Sequence, residues 1–339
     1  MDSVDQEVLG KAIEWLGDGY RVTLVTVIKT WGSSPRPVGA LAAIRGDGLL
    51  VGSVSGGCVE DDLIARNVVV GRSTLPQRIA YGVTSEDARR FGLPCGGELA
   101  VLLEPMPSLD MLQSVNQVLN KREKISRRID LASGEVSLVA SEGESVVRDE
   151  GDRIIVSHGP RWRMLIIGAA QSSRYLAEIA CALDYQVTVC DPRAEYADVW
   201  NVANTLFTRA MPDEAVVALQ PDAQTAVITL SHDPRLDDMA LLEALKSGAF
   251  FVGALGSKTT NAARRERLAL FDLTSEQIAC LRGPVGLPIG SRTPPEIAVA
   301  ILAELTAVRN GIVLTRPHSA KSTLQAIDPL PLLLRASAG

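Results

Sequence analysis

The chain is poor in the residues that build metal and redox centres. It holds three histidines and five cysteines, Cys58, Cys95, Cys181, Cys190 and Cys280, none of them spaced as C-x-x-C. That spacing fits neither a structural zinc site nor a disulfide framework. No apolar run approaches the roughly 18 residues a membrane span needs, so no membrane association is expected. Basic residues do not predominate either: 34 lysines and arginines face 40 acids, for a net charge of -6. Such a balance repels a polyphosphate backbone, and no nucleic-acid partner is expected. The opening MDSVDQEVLG is acidic rather than basic-then-apolar, unlike a secretory signal, and a cytoplasmic protein is expected. There is no low-complexity tract and no solenoid period, although Gly56-Gly57-Cys58 and Cys95-Gly96-Gly97 mirror each other.

What is present is ordinary globular material. Hydrophobic residues make up 46% and charged residues 22% of 339 positions, enough for real cores, and the length favours two domains at roughly 150 residues each. Val8, Leu9, Ala12, Ile13 and Leu16 share one face of a 3.6-residue period, which predicts a helix over Asp5–Leu16 closed by Gly17 and Gly19. Strands are then expected at RVTLVTVIKT, on both sides of Gly46-Asp47-Gly48 as a hairpin, at QRIAYGV and at ELAVLLEP. Ser108–Glu123 reads as a helix, and Arg128–His158 as a connecting region of short strands and polar turns. From Arg163 the grammar becomes β-α-β, the mark of an open parallel sheet. A last long helix is announced by Thr293, Pro294 and Glu296 and ended by Gly311; His318–Gly339 reads as a tail. The expected class is α/β: a mixed α/β domain over residues 1–106, a connection over 107–160, a Rossmann-like parallel-sheet domain over 161–314, and a tail over 315–339.

In the second half MLIIG runs into a helix through Gly168-Ala169-Ala170-Gln171, and Asp191 ends the next strand. This is the layout in which helix amides meet phosphates and an acid takes a ribose hydroxyl. Two of the three fingerprint glycines are replaced, by Ala170 and Ser173, so the loop predicts either a bound nucleotide or a Rossmann-shaped scaffold without one. His232 ends a later strand, where ligands of such sheets gather; a histidine held by loop carbonyls would look the same. Gly256, Ser257 and Lys258 open another helix and form a candidate anion site. Arg264, Arg265 and Arg267 on that helix are expected to form a solvated face.

In the first half Gly56, Gly57 and Cys58 precede a helix-like stretch, so Cys58 is expected near a helix N-terminus, where the dipole lowers a thiol pKa. Cys95, Gly96 and Gly97 similarly open a strand. Glycines let backbone amides approach an anionic or soft-metal group, and Glu60 is a candidate proton acceptor beside Cys58. Two glycine-flanked cysteines in one small domain favour function over burial, whereas Cys181 and Cys190 read as core.

The chain resembles the XdhC/CoxI family of molybdenum-cofactor chaperones that mature xanthine dehydrogenase and related molybdenum hydroxylases. The resemblance runs through TVIKTWGSSPRPVGA, DGLLVGSVSGGCVE and GLPCGGELAV, then LIIGAA, CDPR with Asp191 and Arg193, LSHD, FVGALGSK and PVGLPIGSRTPPEIAVAILAEL. It implies a cytoplasmic homodimer that binds molybdopterin or its dinucleotide form, protects it while a cysteine desulfurase or sulfurase places the terminal sulfido ligand, and delivers it to an apo molybdenum hydroxylase. The family's functional cysteine maps onto Cys58, as a contact for the molybdenum end, with Cys95 second. Many members carry Gly-Ala-Gly-His where this chain has Gly168-Ala169-Ala170-Gln171. A cofactor lying between the two halves, its tail at Gly168–Ser173 and Asp191 and its head at Cys58 and Cys95, unites the two readings. Two rivals stand beside it: an NAD(P)-dependent oxidoreductase using the Rossmann-like half, and a protein-protein adaptor without ligand.

Overall fold

The computed structural model describes residues 3–31, 36–70, 75–82, 98–141 and 146–312. Helix α1 (Ser3–Gly17) leads into strands β1 (Val22–Trp31), β2 (Leu41–Arg45) and β3 (Leu50–Gly52), then helix α2 (Cys58–Val70), β4 (Gln77–Tyr81) and β5 (Glu98–Pro105). These strands form one antiparallel sheet in the order β3-β2-β1-β5-β4. The expected hairpin is the β2–β3 pair, with Ile44 opposite Leu50 across the glycine turn. β1 is apolar almost throughout because both faces are covered. Leu24 and Val22 meet α1 and helix α3 (Leu109–Asn120), while Val25 and Val27 meet Val59 and Leu63 of α2. Ser108 starts α3, its hydroxyl accepting from Met111 N at 3.3 Å.

The segment read as a connection carries a sheet of its own. Strands β6 (Ile125–Asp130), β7 (Val136–Ala140), β8 (Val147–Asp149) and β9 (Arg153–His158) pair antiparallel in the order β7-β6-β9-β8. Ile129, Ile154 and Val156 pack on Ile28 and Leu102 of the first sheet. At this join Arg127 is buried between Glu104, which it meets through both terminal nitrogens at 2.7 and 3.0 Å, and His158 Nε2 at 3.0 Å. Burial and the Arg127 charge hold the His158 pKa well below its ordinary value, so the ring is a neutral acceptor.

The second half is a parallel sheet. Strand β10 (Arg163–Ile167), helix α4 (Gln171–Ala182), β11 (Gln186–Cys190), α5 (Ala194–Ala197), β12 (Thr205–Thr208), α6 (Pro212–Leu219), β13 (Thr225–Thr229), α7 (Pro234–Ala244), β14 (Phe251–Ala254), α8 (Lys258–Leu268), α9 (Ser275–Ala279) and α10 (Pro294–Arg309) follow in turn. The strand order β12-β11-β10-β13-β14 reverses between β10 and β13, which makes their carboxyl ends the topological switch point. Met164 and Ile166 face α4 and α10; Leu165 and Ile167 face α6, α7 and α8. The start of α10 is fixed as its sequence predicts: the Glu296 carboxylate accepts from Arg292 N at 2.6 Å and Thr293 N at 3.0 Å. Cys190 is buried in the core as expected, and burial next to Asp191 pushes its thiol up to about 12, whereas Cys181 is half-buried and packs at the edge of the core, its thiol also raised by burial. Among the described residues no helix is long and apolar enough to cross a membrane. Cys95, Gly96, Gly97 and the tail from His318 lie outside the described residues.

Candidate functional site

In the first half the backbone between β3 and α2 folds around a carboxylate. Glu60 is 7% exposed, and its Oε1 accepts from Ser53 Oγ at 2.8 Å, Val54 N at 2.9 Å, Ser55 N at 2.8 Å and Gly56 N at 3.0 Å. Its Oε2 accepts from Gly57 N at 2.9 Å and from the Ser55 hydroxyl. Burial pushes the Glu60 pKa up, but the Ser55, Ser53 and Gly57 hydrogen bonds outweigh it and hold the group at about 2. Glu60 is therefore not the proton acceptor expected beside Cys58: its oxygens are occupied and its basicity is spent on the loop. The amides of Gly56 and Gly57 turn inward to the same carboxylate, so they do not face outward to an anionic ligand. Gly56 needs its glycine, since its φ is +82°. Cys58 itself is the first residue of α2, the helix N-terminal position its sequence predicts.

In the second half the loop after β10 is built differently. Gly168 has φ +95°, and a Cβ there would collide with the Ser231 backbone; the fingerprint glycine thus serves close packing between the β10 and β13 loops. Asp191 is fully buried. Its Oδ2 accepts from Ala169 N at 2.8 Å and Arg193 Nη2 at 2.8 Å, and its Oδ1 accepts from Arg193 N at 3.1 Å and Nε at 2.9 Å. Burial raises its pKa and the Arg193 and Ala169 hydrogen bonds lower it further, for a net fall. The expected ribose acceptor is therefore already capped: Arg193 covers it, reaching Ser231 O at 3.4 Å and stacking 4.0 Å from the Tyr196 ring centroid. Arg193 presents a cation at the mouth where an acid was expected.

Each parallel strand leads from its carboxyl end into a helix, and α4, α7 and α8 follow β10, β13 and β14. Asp233 caps α7 by accepting from Arg235 N, and Ser257 caps α8 by accepting from Thr260 N at 3.0 Å. The N-cap of α4 is Ala170, in extended conformation at φ -77° and ψ -179°, with no side-chain cap. Ser173 N donates to Ala170 O at 3.1 Å, and the amides of the exposed Gln171 and of Ser172 are left for another acceptor. His232 stands beyond Ser231 with φ +62°, exposed and without a hydrogen bond to a described residue, and Lys258 is exposed as the first residue of α8.

The loops bearing His232 and Lys258 are tied together by Asp237, Arg264 and Asn261. Asp237, buried on α7, accepts from Ser231 N at 3.1 Å and Ser231 Oγ at 2.7 Å. Arg264 donates to Asp237 at 3.0 Å, Leu255 O at 2.9 Å and Asn261 Oδ1 at 2.8 Å, and Asn261 Nδ2 donates to Gly256 O and Ser257 O, each at 3.1 Å. Arg264 is 3% exposed. The solvated face expected of these arginines is thus corrected: Arg264 points inward because a buried carboxylate, the Leu255 carbonyl and the Asn261 side-chain oxygen receive it, and Arg265 reaches the carbonyls of Leu281 and Gly283.

Gly168, Ala170, Gln171, Asp191, Arg193, His232, Gly256, Ser257 and Lys258 therefore share the carboxyl edge of the parallel sheet. Among the described residues no hydrogen bond or ion pair links this edge to the Gly56–Glu60 loop, and no group of three or more acids, histidines and cysteines is placed to hold a metal ion.

Comparison with known proteins agrees with this two-part construction. Residues 164–305 match the XdhC Rossmann domain, and residues 15–82 match the XdhC and CoxI family. The molybdenum cofactor insertion chaperone PaoD of Escherichia coli K12 is 30% identical over 304 residues, covering 89% of this chain and 88% of PaoD. A probable xanthine dehydrogenase subunit from Bacillus subtilis 168 is 25% identical, covering 88% of this chain and 96% of that protein. The crystal structure of a Bacillus halodurans protein described as a xanthine dehydrogenase superposes with a TM-score of 0.71 at 24% identity, over 92% of this chain and 98% of that one, and has the same fold. The chain belongs to the XdhC/CoxI family.

Proposed function

We propose that the protein is a molybdenum cofactor insertion chaperone, holding a pterin-type molybdenum cofactor as cargo and delivering it to an apo molybdenum hydroxylase. The identity of the cargo rests on the likeness to PaoD along 89% of the chain. The observation that carries the binding itself is the open start of α4: of the two helices that flank the switch point, α7 is capped by Asp233 and α4 has no side-chain cap. A phosphate fits there. Helix-start amides and the positive dipole end favour it, and Arg193 and Lys258 add positive charge at the same edge. The cargo supplies the metal and its dithiolene; the chain's own part is to hold the tail. We assign the metal end to Cys58, at the first residue of α2, with Cys95 as second candidate, because a thiolate is a soft donor. A homodimer, as the family resemblance implies, is part of the proposal. Protection during sulfuration, with a cysteine desulfurase as partner in the cytoplasm, completes the proposal.

Oxidising the protein purified from cells that make the cofactor, and reading pterin fluorescence, tests the cargo: a pterin signal is expected, and a clean protein contradicts the reading. Titration with purified molybdenum cofactor tests the thiols, since an affinity unchanged in Cys58→Ala and Cys95→Ala removes them from the account. Asp191 is engaged by Ala169 N and Arg193 rather than open to a nicotinamide dinucleotide's ribose, so NADH fluorescence is expected to stay unchanged on mixing. Tight NADH or NADPH binding would favour an NAD(P)-dependent oxidoreductase.

A further inference from the structure

A second polar recess lies at the opposite edge of the parallel sheet, where the two halves meet. Helix α3 ends at Asn120, and Arg122 beyond it takes a left-handed φ of +63°, a conformation in which glycine is usual. The side chain is what this position uses. Arg122 crosses to the second half, donating to Asp222 at 2.8 Å and to Arg161 O at 3.1 and 3.2 Å. The result is a cavity of about 430 Å³ whose lining includes Asn120, Arg122, Arg161, Arg163, Gln186 and Thr188, and no carboxylate.

Its charge is unbalanced. Arg122 and Arg163 share the one carboxylate of Asp222, Arg163 at 3.3 Å, and Arg161 pairs with Asp184 at 3.0 Å. Three guanidinium groups thus meet two carboxylates, both of which stand outside the lining. Arg163 is held by Leu219 O at 2.8 Å, Gln220 O at 2.9 Å and Thr225 Oγ1 at 3.0 Å, so it cannot swing away from its neighbours. Burial and the nearby Arg122 charge both lower the Arg163 pKa, the effect of cations crowded in a space that water only partly screens. On Arg161, Nε and Nη2 are engaged with Asp184 and Tyr185, while Nη1 has no acceptor among the described residues. The Asn120 and Gln186 amides and the Thr188 hydroxyl add neutral donors to the same lining.

We propose that this junction cavity is a binding site for a small phosphate-class oxyanion, separate from the carboxyl-edge crevice and bridging α3 to the amino ends of β10 and β11. Arg161 Nη1 is left to donate to a phosphate oxygen, while Arg122 and Arg163, held by the hydrogen bonds above, supply positive charge at fixed positions. The proposal stands on the cavity and its arginines and is independent of the chaperone reading.

Isothermal titration of the full-length protein with inorganic phosphate and with ribose 5-phosphate, against chloride at matched ionic strength, tests it. Saturable binding is expected. Gln186→Glu places a like charge on the cavity wall without removing any ion pair, and is expected to weaken binding by about tenfold or more. Gln186→Lys is expected to tighten it. Gln186 is exposed at the first residue of β11, so both variants should keep the wild-type circular dichroism and melting temperature. Tighter binding of the ester assigns the site to a phosphomonoester, and the reverse order assigns it to the free ion; either supports the proposal. Absence of saturable binding, indifference to the sign of the charge at position 186, or loss of binding in Lys258→Ala at the opposite edge overturns it.

Discussion

The turn from β3 into α2 and the turn from β10 into α4 look alike in sequence, each a glycine-bearing step from strand to helix. They differ in what their amides meet. In the first, Glu60 enters the helix and folds back, so the loop surrounds its own carboxylate. In the second, Asp191 takes a single amide of the turn, Ala169 N, and is itself covered by Arg193, and the helix start above it has no side-chain cap at Ala170. A glycine-rich turn establishes that backbone donors converge; which acceptor they converge on is decided by residues outside the glycines. The first turn is filled by its own carboxylate, whereas the start of α4 has no side-chain cap of its own.

The largest break in this contrast is expected at the carboxyl edge. Arg264→Met leaves Asp237 buried without its cation and should cost about 4 kcal/mol in urea unfolding, because an unpaired buried charge is dearer than a lost pair. Glu60→Gln comes next, at about 3 kcal/mol, since an amide nitrogen then faces backbone donors that the carboxylate had satisfied. This loss is pH-dependent. The folded pKa of about 2 lies below the ordinary glutamate value, so the stabilisation is complete above that ordinary value and is lost as pH falls towards 2. The gap between wild type and Glu60→Gln should therefore narrow below about pH 5, and a constant gap would show that charge is not its source. Gly168→Ala should cost about 2 kcal/mol, as a Cβ there meets the Ser231 backbone and the φ is left-handed. The smallest effect has the opposite sign: Ala170→Asp supplies the missing cap of α4 and should raise stability by about 1 kcal/mol.

Much of the architecture is legible in the sequence because it is local. The Gly46-Asp47-Gly48 hairpin, the cap of α10 by Glu296 and the step from β10 to α4 each rest on residues a few positions apart. What escapes is non-local or short. β12 and α6 are brief elements between stronger signals, and β6 to β9 read only as short strands because their pairing, such as Ile125 with His158, spans long chain separations. The inward turn of Glu60 has a local signal after all, a glutamate three residues after Gly57 at a helix start. Arg193 covering Asp191 is likewise two positions away. The burial of Arg264 is different: its partner Asp237 comes from another helix, and nothing in the run Arg264-Arg265-Glu266-Arg267 distinguishes an inward arginine from a solvated one.

The open first turn of α4 is the feature on which cofactor binding depends. Titrating purified molybdenum cofactor into wild-type protein and Ala170→Asp measures it directly, because the aspartate gives the second turn the internal carboxylate that the first already has. A more stable variant that binds the cofactor at least about tenfold more weakly is predicted, through occupied amides and like-charge repulsion. Undiminished affinity in a variant whose α4 has become more stable would contradict it.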